Sequence, residues 1–162
     1  MLATIFQIGL LICCYVSVWF VISLLIKRND IADIAWGLGF VAIVVFLYFT
    51  HTPTLQSGIV YILTIIWGIR LAIHIGLRSK GKTEDFRYKK WREEWGKYFV
   101  LRSYLQVYLL QGFFMWIISA PIIVVSMAQN QAISPFILSG SIVWLIGFVF
   151  ESIGDYQLML FI

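Results

Sequence analysis

The sequence predicts an all-α protein, a polytopic transmembrane helical bundle of about five helices with a cytoplasmic interfacial helix. Three observations carry that expectation. Of the 162 residues, 61% are hydrophobic and 12% charged, against roughly a quarter charged in an average soluble domain. Mean hydropathy is +0.91. Uncharged stretches of about 20 residues, the length that crosses a hydrocarbon core about 30 Å thick, recur along the chain between short polar connections.

Apolar run length places the spans at about residues 4–26, 31–49, 59–77, 104–125 and 135–162. Each must be helical, because a segment in lipid has to satisfy its own backbone hydrogen bonds. The first 26 residues carry no charge and lack the basic flank and cleavage site of a signal peptide, so they read as a retained helix. Cys13 and Cys14, adjacent within it, point in different directions and read as packing residues. By length, residues 1–162 are one transmembrane domain.

The connections alternate in charge. Lys27, Arg28, Asn29 and Asp30 join the first two spans, and residues 50–58 and 126–134 hold no acid, lysine or arginine. The connection 78–102 holds nine of the twelve basic residues. The positive-inside bias therefore makes loops 27–30 and 78–102 cytoplasmic and puts the N-terminus outside. Topology and anionic lipid account for the net charge of +4, so nucleic acid is not an expected partner. Within the long connection, Thr83 is positioned to cap a helix opening with Glu84 and Asp85. Tyr88, Trp91, Trp95 and Phe99 form an aromatic stripe along it. The spacing suits a helix lying on the membrane surface; a solvated amphipathic loop that only fixes topology is the alternative.

Ionisable residues inside spans are the candidate functional groups, because a charge in hydrocarbon is costly unless paired or facing a polar cavity. There are four: Asp33, Arg70, Glu151 and Asp155. Helical rise places all four in the cytoplasmic leaflet. Glu151 and Asp155, four residues apart, share a helical face with Gly147 and Trp144, and Arg70, His74 and Arg78 are expected on one face of the third span. This predicts a polar cleft open to the cytoplasm in which Arg70 approaches Glu151 or Asp155; the competing reading is an arginine that merely neutralises an acid and locks the bundle. No metal-ligand spacing, phosphate-binding glycine loop or nucleophile elbow is present, and Gly37 and Gly39 lie within a helix.

The segments Asp30-Ile-Ala-Asp33-Ile-Ala-Trp36-Gly37, Trp67-Gly-Ile-Arg70-Leu71, Glu84-Asp85-Phe-Arg87-Tyr88, Gln111-Gly112 with Pro121, and Glu151-Ser-Ile-Gly-Asp155-Tyr-Gln157 together resemble the landmarks of uncharacterised membrane proteins related to steroid 5-alpha-reductases. The resemblance implies a membrane enzyme that uses NADPH, entering from the cytoplasm, to reduce an activated carbon–carbon double bond of a lipid or steroid-like substrate. It marks Glu151 and Asp155 as cofactor-binding, with Glu151 departing from the asparagine of the reductase branch. Arg87 and Tyr88 belong to a loop motif that joins the cofactor site, and Asp33 and Arg70 line the substrate cavity as catalytic candidates. A later segment that supplies most cofactor contacts in that family is absent. The chain is therefore expected to be the N-terminal part of a longer protein, inactive by itself and a weak binder of NADPH. Membrane lipids and a hydrophobic small molecule are the expected partners. Two alternatives stay open: an S-adenosylmethionine-dependent lipid methyltransferase of the same fold, and a non-enzymatic small transporter or membrane subunit.

Overall fold

A computed structural model describes residues 2–129 and 131–161, and the regular structure in them is helical throughout. In chain order the helices are α1 (Leu2–Ile26), α2 (Ile31–Thr50), α3 (Leu55–Ser79), α4 (Phe86–Trp95), α5 (Phe99–Ser103), α6 (Leu110–Ile118), α7 (Ala120–Ser126) and α8 (Pro135–Phe161). A 3-10 turn, Gly96–Tyr98, joins α4 to α5, and a π-helical stretch, Tyr104–Leu109, joins α5 to α6. Among the described residues α1, α2, α3 and α8 are each long and apolar enough to cross a membrane, and a fifth crossing results if the run ending at Ile118 is joined to α7 across a 43° bend. The architecture is that of a polytopic helical membrane bundle. The expected span 104–125 is thus broken. Pro121 enters α7 within its first two residues, where its ring and missing N–H disrupt the preceding turn. The expected end of the last span at Ile162 lies outside the described residues.

Helix α2 is the axis of the bundle, with Ala35, Phe40, Ile43, Val44 and Leu47 among its buried side chains. It packs on α1, α3, α6 and α7. Its approach to α3 is set by two glycines: a Cβ on Gly37 would lie 2.5 Å from the Gly68 carbonyl oxygen, and one on Gly68 would lie 2.5 Å from that of Gly37. Only hydrogen at both positions allows the backbones to pass so closely. Helix α3 begins earlier than hydropathy alone places it, at Leu55, because Thr54 and Ser57 form a reciprocal capping box. Helix α8 packs mainly through α3 and has no buried residue among those described.

The connections 27–30 and 80–85 meet at one end of the bundle. Lys27 adopts a positive φ of 59°, turning the chain out of α1. The buried Asn29 receives three partners: its backbone N–H donates to Glu84 Oε1 at 2.7 Å, its side-chain amide donates to Ser103 Oγ, and its carbonyl accepts from Tyr108 Oη at 3.5 Å. Arg28 Nη1 donates to the Lys82 carbonyl at 3.1 Å. The charged connections therefore form one polar cap.

Helix α4 starts later than the Thr83 cap predicts. Asp85 is the capping residue, accepting from the Arg87 backbone N–H. Its aromatic stripe faces the protein itself: Tyr88 is 3% exposed, and Trp91 and Trp95 pack against the core. Trp91 and Trp95 stack at 5.3 Å, and Trp95 meets Phe99 at 6.1 Å. The cause is electrostatic tethering. Arg87 and Arg92 hold α4 to Asp33 and Glu84, which turns the stripe inward and leaves Lys89, Lys90, Glu93 and Glu94 exposed.

Candidate functional site

Two clusters of ionisable side chains form, on different faces of α3. At the α3–α8 seam, Arg70 Nη2 pairs with Glu151 Oε1 at 2.5 Å and Nη1 with Asp155 Oδ2 at 2.6 Å. Trp67 Nε1 donates to Glu151 Oε2 at 3.1 Å, and His74 Nε2 lies 3.6 Å from Asp155 Oδ1. The Arg70 guanidinium also lies over the Phe148 ring, 5.2 Å from its centroid. Positions 67, 70 and 74 recur at helical spacing and so meet α8 together, while the four-residue interval between Glu151 and Asp155 lets one arginine bridge both. With His74 neutral the cluster carries one net negative charge. The approach of Arg70 to the two acids expected from their common depth is present.

The second cluster lines a cleft of about 630 Å³ between α2, α3 and the segment leading into α4. Asp33 projects there from the first turn of α2, receiving Tyr88 Oη at 2.8 Å and Arg87 Nη2 at 3.1 Å. The other acids of the lining are neutralised one by one. Arg28 forks onto Asp30 at 2.7 and 3.0 Å, Arg92 reaches Glu84 at 2.9 Å, and Arg87 reaches Asp85 at 3.0 Å. Partial burial raises the Asp85 pKa, but hydrogen bonds from the Arg87 side chain and backbone outweigh it and hold the carboxyl below the usual range. Arg28, in contact with Asp30, is correspondingly raised. Two cations of the lining, Arg78 and Lys82, have no carboxylate within ion-pairing distance among the described residues. Trp36, Leu71, Ile75 and Phe86 add apolar surface.

Residues 19–162 match the family described as "Protein of unknown function (DUF1295)". The chain belongs to that family. No curated protein and no solved structure matches it significantly.

In this DUF1295 protein the candidates read from sequence therefore divide. Asp33 and Arg87 come together at the cleft, with the buried Tyr88 bonded to Asp33 behind its lining, and Arg70, Glu151 and Asp155 come together at the seam; the six do not share one cavity. The expected common face of Arg70, His74 and Arg78 is also split. At about 100° per residue, eight residues leave Arg78 about 80° round the helix from Arg70, so Arg78 joins Leu71 and Ile75 on the cleft while Arg70 and His74 meet α8. Sequence reasoning passed over Trp67, whose indole N–H completes the seam, and the pairing of Glu84 with Arg92. Trp67 sits one turn before Arg70 and could have been read from that spacing. The Glu84 to Arg92 contact reaches back from α4 past its own cap, and no helical periodicity announces it.

Proposed function

We propose that this DUF1295 protein is a membrane-embedded reductase that uses NADPH to reduce a carbon–carbon double bond of a lipid or steroid-like substrate. The observation that carries the reading is the charge pattern of the cleft, where every acid is held by an arginine or a tyrosine and Arg78 and Lys82 form no ion pair among the described residues. Two unpaired cations beside an aromatic and aliphatic lining suit a phosphate-bearing ligand with flat rings. The cleft volume of about 630 Å³ falls within the range of about 300–1,000 Å³ usual for cofactor and ligand sites. In this reading loops 27–30 and 78–102 face the cytoplasm, the N-terminus is outside, and α4 lies at the membrane interface with its charged face outward.

The residues fit the cofactor in separate ways. Arg78 and Lys82 would hold phosphate. Glu151 and Asp155 pair with Arg70 at the α3–α8 seam, outside the cleft, and in this reading they fasten α8 rather than touch the cofactor. Arg70 positions these two acids. When bound, NADPH supplies a hydride. The chain supplies the acid: Asp33, which lines the cleft, is the group that would pass a proton to the substrate, and the buried Tyr88 Oη, 2.8 Å from Asp33 Oδ1, orients it. Arg87 on the other oxygen of Asp33 fixes the orientation of the pair.

The test is NADPH titration of the protein in lipid nanodiscs, followed through quenching of tryptophan fluorescence. The Arg78→Gln, Lys82→Gln double variant should bind at least about tenfold more weakly, which corresponds to about 1.4 kcal/mol. Because a ratio is read, weak absolute affinity does not blunt the comparison. Equal affinity in the two proteins would refute the placement of phosphate, and no binding at millimolar NADPH would overturn the reductase reading.

A further inference from the structure

A second cavity, of about 350 Å³, lies between α3, α7 and α8 and shares no lining residue with the charged cleft. Its walls are aromatic. Trp144 and Phe148 stack at 4.8 Å and 16° on the α8 side, and Phe40 and Trp67 meet edge to face at 5.5 Å on the α2–α3 side. Glu151 is the one charged group in the lining. Gly147, one turn before it, has nothing within 4 Å of where a Cβ would stand, so the α8 side of the slot is open. Neighbouring α8 side chains are apolar and exposed, with Val143 69% and Phe150 77% accessible. On a membrane-crossing helix such a surface meets hydrocarbon, so the slot is reached from the lipid.

The charges around the slot select among ligands. A cationic end group has no place, because the Arg70 guanidinium already pairs with Glu151 at 2.5 Å and occupies the Phe148 face. An anionic end group would meet Glu151 and, one turn on, Asp155. A neutral hydrogen-bond donor is complementary. Glu151 Oε2 accepts one hydrogen bond from Trp67 Nε1, and a carboxylate oxygen has a second lone pair. The geometry points to a site for a neutral membrane lipid whose apolar body lies between the aromatic walls and whose single hydroxyl donates to Glu151 Oε2. It needs no cofactor and no reaction, and so stands apart from the reductase reading.

The experiment uses a long-chain alcohol carrying a diazirine and an alkyne, photolysed with the full chain in phosphatidylcholine nanodiscs. Labelled peptides should map to α3 around Trp67 and to α8 around Trp144. The matched methyl ether, which cannot donate, should label about tenfold less, the worth of one hydrogen bond to a carboxylate. Gly147→Leu should fill the slot and abolish labelling without lowering the unfolding temperature, since nothing touches that position, and Trp144→Ala should weaken labelling by removing one wall. Glu151→Gln should reduce the preference for alcohol over ether. Equal labelling by alcohol and ether, stronger labelling by the matched amine, or undiminished labelling of Gly147→Leu overturns the proposal. NADPH titration in the same discs reports on the cleft, so failure of one reading is distinguishable from failure of the other.

Discussion

Replacing Gly37 with alanine should loosen the centre of the molecule. The added Cβ would stand 2.5 Å from the Gly68 carbonyl oxygen and 3.4 Å from the Ala72 backbone nitrogen. Neither atom belongs to a flexible side chain, so relief requires α2 and α3 to move apart by several tenths of an ångström to about 1 Å. Overpacking of this kind costs about 1–3 kcal/mol. Alanine's better helix propensity returns up to about 1 kcal/mol, so the net destabilisation should be about 0.5–2 kcal/mol. Gly68→Ala should cost a similar amount, and the double variant should cost less than the sum, because one separation of the helices relieves both clashes. Gly140→Ala and Gly154→Ala on α8 are the controls. Nothing lies within 4 Å of a Cβ at either position, so they should be neutral or mildly stabilising. Reversible unfolding in mixed detergent micelles, followed by circular dichroism, measures all five proteins under one condition. If Gly37→Ala behaves like the α8 controls, the close crossing does not hold α2 and α3 together and the reasoning fails.

Arg70→Gln should release α8, leaving Glu151 and Asp155 without their cation; both acids are partly exposed, so the cost should be about 1–3 kcal/mol, between surface and buried pairs. Adding Glu151→Gln and Asp155→Asn should recover part of it, and faster proteolysis of α8 in the single variant than in the triple one is the readout. Asp33→Asn and Tyr88→Phe should be coupled by about 0.5–2 kcal/mol in a double-mutant cycle; strict additivity would show that the 2.8 Å contact contributes nothing. Asp85, whose folded pKa is depressed, contributes stability that is present above its unfolded pKa of about 3.9. That contribution is lost as pH falls through the lower folded value, so protease cleavage of the connection 80–85 should stay constant from pH 7 to pH 5 and rise only below about pH 4. A rise centred near pH 6 would contradict the assignment.

Hydropathy along the chain placed four long spans, α1, α2, α3 and α8, while the break in the expected span 104–125 was set by local geometry at Pro121. Burying an unpaired backbone in lipid is too costly for any other solution, and run length alone sets where a helix can cross. Depth was legible for the same reason: a rise of about 1.5 Å per residue put Arg70, Glu151 and Asp155 at one level, and their 2.5 and 2.6 Å contacts follow. Direction around each helix axis was not legible. It depends on which helices are neighbours, and that is decided by the Gly37–Gly68 crossing, which turns one face of α3 toward α2 and the next toward α8. Residues of similar depth, Asp33 and Arg70, are thereby placed in separate clusters. The aromatic stripe of α4 shows the same division. Its periodicity was visible in the sequence, but whether lipid or protein would cover it was settled by Arg87 and Arg92 reaching acids more than one helical turn away. A local pattern determines that a face exists; only the long-range contacts of the folded chain choose what it meets.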